Sequence, residues 1–169
     1  MPFHRRRGPG GRGGQALASA PVIEVLVDGV PPAAALPGDA GADLTAAEAA
    51  TLPPLGRATL GTGLRIALPA GTTALVLPRS GLAARHGITV LNAPGLVDAG
   101  YRGEIRVTLL NTDPSDAYDV AVGDRIAQLV VLTLPTVRFV PVAALPGSRR
   151  AQSGFGSTGT AALPGGPSD

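Results

Sequence analysis

The chain has 169 residues and fits one domain, and only 15% of them are charged, well below the roughly 25% of ordinary soluble domains. It has no Cys and only two His, which excludes a disulfide framework, a thiolate metal site and a His-rich zinc site. Formal net charge is +2 and every basic residue is Arg, but four of these Arg fall in residues 1–20; the rest carries −2 and is not a basic nucleic-acid-binding body. Aromatic residues are scarce at 3%, so a core must be built from Val, Leu, Ile and Ala. So little charge in a soluble chain implies surface covered by other subunits; the alternative is a monomer with an aggregation-prone apolar surface. The exclusive use of Arg, with abundant Ala, Gly and Pro, reads as G+C-rich coding rather than mechanism.

Residues 1–20, MPFHRRRGPGGRGGQALASA, are rich in Arg and Gly and contain no acid. Little there can be buried, and the expectation is a disordered tail. ALASA resembles a signal-peptidase site, but no apolar run separates it from the Arg cluster. Gly and Pro defeat the amphipathic helix of a transit peptide. An Arg/Gly arm can bind phosphates, yet a solvated tail without a nucleic-acid partner is the simpler expectation. No stretch is long enough to span a membrane, and a cytoplasmic location is expected.

From Pro21 the chain becomes punctuated β-structure. VIEVLV at 22–27 is expected as the first strand, and Pro31, Pro32 and Pro37 mark a loop. Further strands are expected at 58–60, 64–68, 72–77, 88–91, 105–110, 125–134 and 137–142, separated by turn residues at short intervals, as in a sandwich or barrel. One short helix is expected, with Ser80 as N-cap, Gly81–His86 as its body and Gly87 after its end. The Ala-rich stretch 46–50 is ambiguous. No internal repeat is evident. After Pro146 the composition shifts to Gly, Ser and Thr, so 147–169 reads as a mobile arm.

Polar residues cluster in several places. In DAGADL (39–44), Gly41 lets the backbone pass close to a neighbour, and Asp39 and Asp43 offer two carboxylates, weak evidence for direct metal ligation without a third. Arg79-Ser80-Gly81 opens the helix; this is either an anion site or a capped helix with a surface Arg. Asn92 carries both a donor and an acceptor and suits a base edge, or simply turns the chain before Ala-Pro-Gly. In GLVDAGYRGEIRVTLLN (95–111), Gly95 follows Pro94 at a bend, and Asp98 and Tyr101 sit in a segment opened by Gly95, Gly100 and Gly103. That suits ligand contact, or else an ordinary polar hairpin tip. RAQSGFGSTG (150–159) alone is a low-complexity tail with one Phe.

Taken together, DAGADL, PRSGLA (78–83), the 95–111 segment, GDRIAQL (123–129) and RAQSGFGSTG, in this order and spacing, resemble the trimeric all-β dUTP pyrophosphatase (dUTPase) family over residues 21–159. The resemblance implies a jelly-roll-like β-barrel of the β-clip type with one short helix. It implies a homotrimer whose sites each collect residues from three subunits, with 21–146 as catalytic core and 147–169 as arm. The implied reaction is hydrolysis of dUTP to dUMP and pyrophosphate, in which a water attacks the α-phosphorus in line with the leaving group. Asp98 is then the general base, and Gln128 positions the water or the α-phosphate. Arg79, Ser80 and Gly81 grip the triphosphate. Asn92 and the hairpin backbone read uracil, with no room for a 5-methyl group. Tyr101 stacks beneath the deoxyribose, where a 2′-hydroxyl would clash. Arg150, Phe155, Gly156 and Ser157 close over the nucleotide as a lid, Phe155 on the base and Arg150 on the γ-phosphate. Asp43 is tied to Mg²⁺ through metal-bound water.

The remaining polar residues receive quieter expectations: Asp39 as loop polarity, Arg85 and His86 as surface or interface, Arg106 as structural or reaching phosphate across an interface, and Asp124 with Arg125 as a structural pair. Two alternatives stand beside this reading. dCTP deaminases share the fold and a similar central segment, but their catalytic Glu falls at Thr108 here, and a hydroxyl cannot replace it. A non-catalytic nucleotide sensor, or a jelly-roll structural protein, would not need all five clusters.

Overall fold

The computed structural model describes residues 22–148. The expected tail at 1–20 and the expected lid residues Arg150, Phe155, Gly156 and Ser157 lie outside them. The chain divides into two compact units, one reaching Thr136 and one beginning at Val137.

The first unit is all-β and jelly-roll-like, with a single short helix among its described residues. Its elements in chain order are β1 (Leu26–Asp28), β2 (Ala33–Ala34), β3 (Ala42–Thr45), β4 (Ala50–Leu52), β5 (Arg57–Gly61), β6 (Arg65–Ala67), β7 (Thr72–Leu77), α1 (Ser80–His86), β8 (Ile88–Val90), β9 (Gly95–Asp98), β10 (Arg106–Asn111), β11 (Tyr118–Val120) and β12 (Arg125–Thr133). The largest sheet has five strands in the order β2-β3-β12-β7-β9; a three-stranded sheet runs β5-β10-β8, and β1-β6 and β11-β4 form two-stranded ribbons. All pairings are antiparallel.

The period-2 alternation of strands divides the large sheet into an inner and an outer face. Ala74 and Val76 of β7, Val97 of β9 and Leu129 of β12 point inward and are buried. They join Leu44, Leu52, Ile88, Val107, Leu109 and Ile126 in one core. A register shift between Arg125 and Ala127 marks a bulge, so consecutive Ile126 and Ala127 are both buried while Arg125 stays outside. The outer face carries Leu75, Leu77, Leu96, Val130 and Leu132, all half-buried or exposed. A sheet face this apolar needs a cover.

Several expectations are corrected. The first strand is only Leu26–Asp28; Val22 is 87% exposed and pairs with nothing in a ladder. Gly95, expected at a bend, begins β9 and pairs with Val76. The N-cap of α1 is Arg79, in extended geometry (φ −94°, ψ 126°), and no side chain caps the helix. Ser80 is therefore inside the helix rather than at its cap. Gly87 closes the helix in the left-handed conformation, φ 64°, as expected of glycine there, its N–H donating to Ala83 O. Residues 137–142 form no strand. Val137, Phe139, Val140 and Val142 have the composition of one, but composition does not supply the hydrogen-bonded neighbour a strand requires. No helix among the described residues is long and apolar enough to cross a membrane.

Asn111 pins the end of β10. It is wholly buried, and its Nδ2 donates to the carbonyls of Leu52 (3.2 Å), Pro53 (3.3 Å) and Asp116 (2.8 Å) while its Oδ1 accepts from Asp113 N (2.9 Å). Ala at this position leaves those groups without their partner. Asn111→Ala should cost about 3 kcal/mol of stability, measured by urea unfolding. A loss under about 1 kcal/mol would show that the turn at 111–116 holds without it.

Candidate active site

Two cavities bring the polar clusters together, one at each end of the large sheet. The first, about 380 Å³, lies where β3, β12 and the start of α1 converge. Asp43 is opposite Gln128 in the β3–β12 ladder, and paired residues point to the same face. β7 ends at Leu77, opposite Gln128, and Pro78 then carries the chain directly to Arg79, Ser80 and Gly81. Asp43, Arg79, Ser80, Gly81 and Gln128 all line this cavity, so five residues singled out from sequence share one wall.

Its electrostatics are set by a carboxylate between two guanidinium groups. Arg79 Nε donates to Asp43 Oδ1 (2.8 Å) and Arg125 Nη1 to Asp43 Oδ2 (3.0 Å). Arg79 Nη1 also donates to the carbonyl of Arg125 (3.3 Å). Asp43 and Arg79 are largely buried, with side chains 17% and 24% exposed, so this two-armed arrangement is held more firmly than a surface pair. Arg85 lines the same cavity and lies against the Cα of Gly81. Counting Asp39 and Asp43 against Arg79, Arg85 and Arg125 leaves the cavity one positive charge in excess, which suits a polyanion. The Ser80 hydroxyl has no partner among the described residues and is available to a ligand. Asp39 accepts from Leu36 N (2.9 Å), the loop role expected of it.

The second cavity, about 240 Å³, is built by the segment from β9 to β10 and the turn after β8; Asn92, Asp98 and Tyr101 line it. The hairpin expected here is not one: β9 pairs with β7 in the large sheet and β10 with β5 and β8 in another, so the 99–105 segment crosses between sheets. Asp98 ends β9, and its carbonyl accepts from Tyr101 N (3.0 Å), closing the turn. Its carboxylate is exposed and has no partner among the described residues. Tyr101 is anchored at one end, its hydroxyl donating to the carbonyl of Glu104 (2.9 Å). Its ring lies against Gly103, where any Cβ would collide with the phenol. The phenol end of the ring is thus packed, while Tyr101 as a whole is 46% exposed.

Glu104 braces this segment. Its Oε1 accepts from Gly63 N (2.8 Å) and its Oε2 pairs with Arg106 (3.4 Å), which in turn reaches Glu48 (3.2 Å) and Thr59 O (3.1 Å). Arg106 is therefore structural, one of the two roles expected for it. The Gly63 N–H, aided by Arg106 and Arg65 and opposed by partial burial, holds the Glu104 carboxyl below its usual 4.5. A carboxylate depressed on folding stabilises the fold above its unfolded value, and that stability is lost as pH falls through the lower folded value. Glu104→Gln should therefore lower the melting temperature near neutrality and flatten its decline below about pH 4.5. Parallel curves for the two proteins would rule the brace out.

The two cavities are not adjacent within one chain. Thr73 of β7 is opposite Asp98, and Leu77, four residues along, is opposite Gln128 across the other edge of β7. At about 3.3 Å per residue and about 4.8 Å per strand, Asp98 and Gln128 lie roughly 16 Å apart on the same sheet face. The residues expected to share one reaction centre are thus separated. Sequence reasoning also missed three residues. Arg125 was expected to pair with Asp124, but it pairs with Asp43, and Asp124 Oδ2 accepts from Ala121 N (2.9 Å). Arg85 was expected at a surface or interface and lines the first cavity. Glu104 gave no signal beyond a charge beside Gly103.

Comparison with known proteins identifies the family. The dUTPase family model matches residues 30–159. A deoxyuridine 5′-triphosphate nucleotidohydrolase of Leifsonia xyli is 65% identical over 128 residues, covering 76% of this chain and 84% of that one. Its counterpart in Cutibacterium acnes is 50% identical over 148 residues, covering 88% and 97%. Among solved structures, the dUTPase of Staphylococcus bacteriophage 80alpha with dUPNHPP superposes with a TM-score of 0.74 at 26% identity, covering 80% of this chain and 98% of that one. With the match spanning well over half its length, this chain belongs to the dUTPase family.

Proposed function

We propose that this protein hydrolyses dUTP to dUMP and pyrophosphate at a site assembled between copies of the chain. The observation that carries the reading is the division of labour between the two cavities. The first offers a surplus positive charge, a free hydroxyl and the Gln128 amide, the needs of a triphosphate. The second offers a free carboxylate, an amide and an exposed aromatic ring, the needs of a deoxyuridine and of an attacking water.

In this reading Arg79, Ser80 and Gly81 hold the phosphate chain, and Arg125 and Arg85 add charge. Asn92 and the backbone of the segment from β9 to β10 read O2, N3–H and O4 of uracil. Tyr101 presents its ring to the deoxyribose, where a 2′-hydroxyl would collide. Asp98 accepts the proton of the water that attacks the α-phosphorus, and Gln128 orients that water or the α-phosphate. The arm at 147–169, with Arg150, Phe155, Gly156 and Ser157, closes over the nucleotide; residues 1–20 take no part.

The donor set bears on Mg²⁺. Among the described residues no cluster of three His, Asp or Glu could hold a metal, and both oxygens of Asp43 already accept from Arg. These residues fit an ion that brings its own oxygen ligands, waters and phosphates, and meets Asp43 through water. Bound in that way, Mg²⁺ supplies neutralising charge to the triphosphate.

A homotrimer is supported by two features. The outer face of the large sheet carries Leu75, Leu77, Leu96, Val130 and Leu132, apolar surface that a second copy would cover. With Asp98 and Gln128 so far apart in one chain, a site that uses both would draw them from different copies. We place the enzyme in the cytoplasm with its nucleotide substrate.

The deaminase alternative is disfavoured at Thr108, whose hydroxyl lies 2.9 Å from that of Thr59 across β5 and β10, with no carboxylate in its place. The test is product analysis with dUTP, dTTP, dCTP and UTP side by side. Pyrophosphate from dUTP alone is expected. Comparable turnover of dTTP or UTP would remove the specificity argument, and ammonia from dCTP would restore the deaminase.

A further inference from the structure

Gly41 stands one residue before β3 and two before Asp43, so it shares the Asp43 face of the strand. Gln128, opposite Asp43, extends across it. A Cβ built on Gly41 would lie 2.5 Å from Gln128 Oε1, 3.2 Å from its Cδ and 3.5 Å from its Cβ. The other end of the amide is also held, Nε2 donating to the carbonyl of Pro78 (2.9 Å). Gln128 is thus seated between a carbonyl and the bare Cα of a glycine. That contact fixes the orientation of the amide: one Nε2 hydrogen goes to Pro78, and Oε1 lies beside Gly41 as an acceptor for a group in the cavity.

The backbone does not demand glycine here. Among the described residues the glycines with positive φ are Gly29, Gly38, Gly63, Gly71, Gly87 and Gly123, and Gly41 is not one of them. What demands it is the space taken by Gln128. An alanine would meet the end of a flexible side chain, which can swing away without disturbing the sheet. The fold would survive, and the amide would be displaced.

We propose that Gly41 is a positioning residue for the reaction: by lacking a Cβ it seats the Gln128 amide, and any side chain at 41 unseats it. This rests on the reading that Gln128 works at the site, and the test separates the two.

The test compares wild type, Gly41→Ala, Gln128→Ala and the double variant in dUTP hydrolysis and thermal melting. Displacing a positioned group by about 1 Å costs up to about 100-fold, so Gly41→Ala should lower kcat by about 10- to 100-fold with KM within about twofold. Its melting temperature should match wild type. On the Gln128→Ala background the same change should cost nothing further, because the group it acts through is gone. Wild-type kcat in Gly41→Ala beside an impaired Gln128→Ala overturns the inference and leaves the role of Gln128 standing. An equal loss on both backgrounds, or a markedly lower melting temperature in Gly41→Ala, overturns it as well. Wild-type kcat in Gln128→Ala removes the role of Gln128, and the inference with it.

Discussion

Asp98→Asn should lower kcat for dUTP by at least about 100-fold, close to 2.7 kcal/mol of transition-state stabilisation, with little change in KM. Asn keeps the shape and polarity of the side chain and loses the ability to take a proton. The Asp98 carboxylate has no partner among the described residues, so nothing structural is removed with the charge. The turn it opens is made by its backbone carbonyl to Tyr101 N, which Asn supplies equally. The variant should therefore melt at the wild-type temperature. That pairing of an intact fold with a crippled rate distinguishes a general base from a residue that shapes the turn. A kcat within a few-fold of wild type would show that another group accepts the proton. A large rise in KM with kcat preserved would mean that Asp98 binds substrate rather than activating water.

The second prediction uses the roughly 16 Å between Asp98 and Gln128. If each site draws Asp98 from one copy and Gln128 from the next around a closed ring, two inactive chains can complement each other. In a mixed trimer of Asp98→Asn and Gln128→Ala chains, one site of the three combines the intact Asp98 of one chain with the intact Gln128 of another. Random assembly from equal amounts makes about three-quarters of the trimers mixed, so about a quarter of wild-type activity should return. The experiment is to unfold the two variants together, refold them, and compare dUTP hydrolysis with each refolded alone. Either variant alone should show a few per cent of wild-type activity at most. No recovery in trimers shown by mass to be mixed would refute a site built across copies, and would place both residues of one chain at one nucleotide.

Long, uniform runs were legible in the sequence. The strand expected at 72–77 is β7, and β12 ends one residue short of the expected 134. Gly87 ends α1 because glycine adopts that conformation without strain. Of the short strands, β5, β6 and β8 were legible to within a residue or two, and β2, β3, β4, β9 and β11 were not. β3 and β9 each contain an Asp, and β4 and β11 gain their strand character only by pairing with each other. Ser80 was misplaced because serine is a good cap; the last residue in extended geometry is Arg79, carried there by β7 and Pro78, and Ser80 is already helical. The composition of the first cavity was read from motifs, but its Arg125 was not. Adjacent in sequence, Asp124 and Arg125 look like partners. The bulge at Arg125–Ala127 sets the register of β12 so that Arg125 reaches Asp43 instead. Motifs specify which residues meet a ligand; they do not carry the distance between Asp98 and Gln128, which is a property of the sheet.

Strand β7 has a consequence for how this sequence can vary over generations. It contributes no chemistry of its own, yet Asp98 lies across one of its edges, Gln128 across the other, and Arg79 two residues beyond its end. Its role is that of a ruler. Exchanges such as Leu75→Ile leave the ruler's length unchanged and should pass freely. Loss or gain of one codon within it should be lethal to activity, because a one-residue slip inverts the two faces and moves the two cavities relative to each other. Insertions should instead accumulate in the loops, where no distance between reacting groups is being kept.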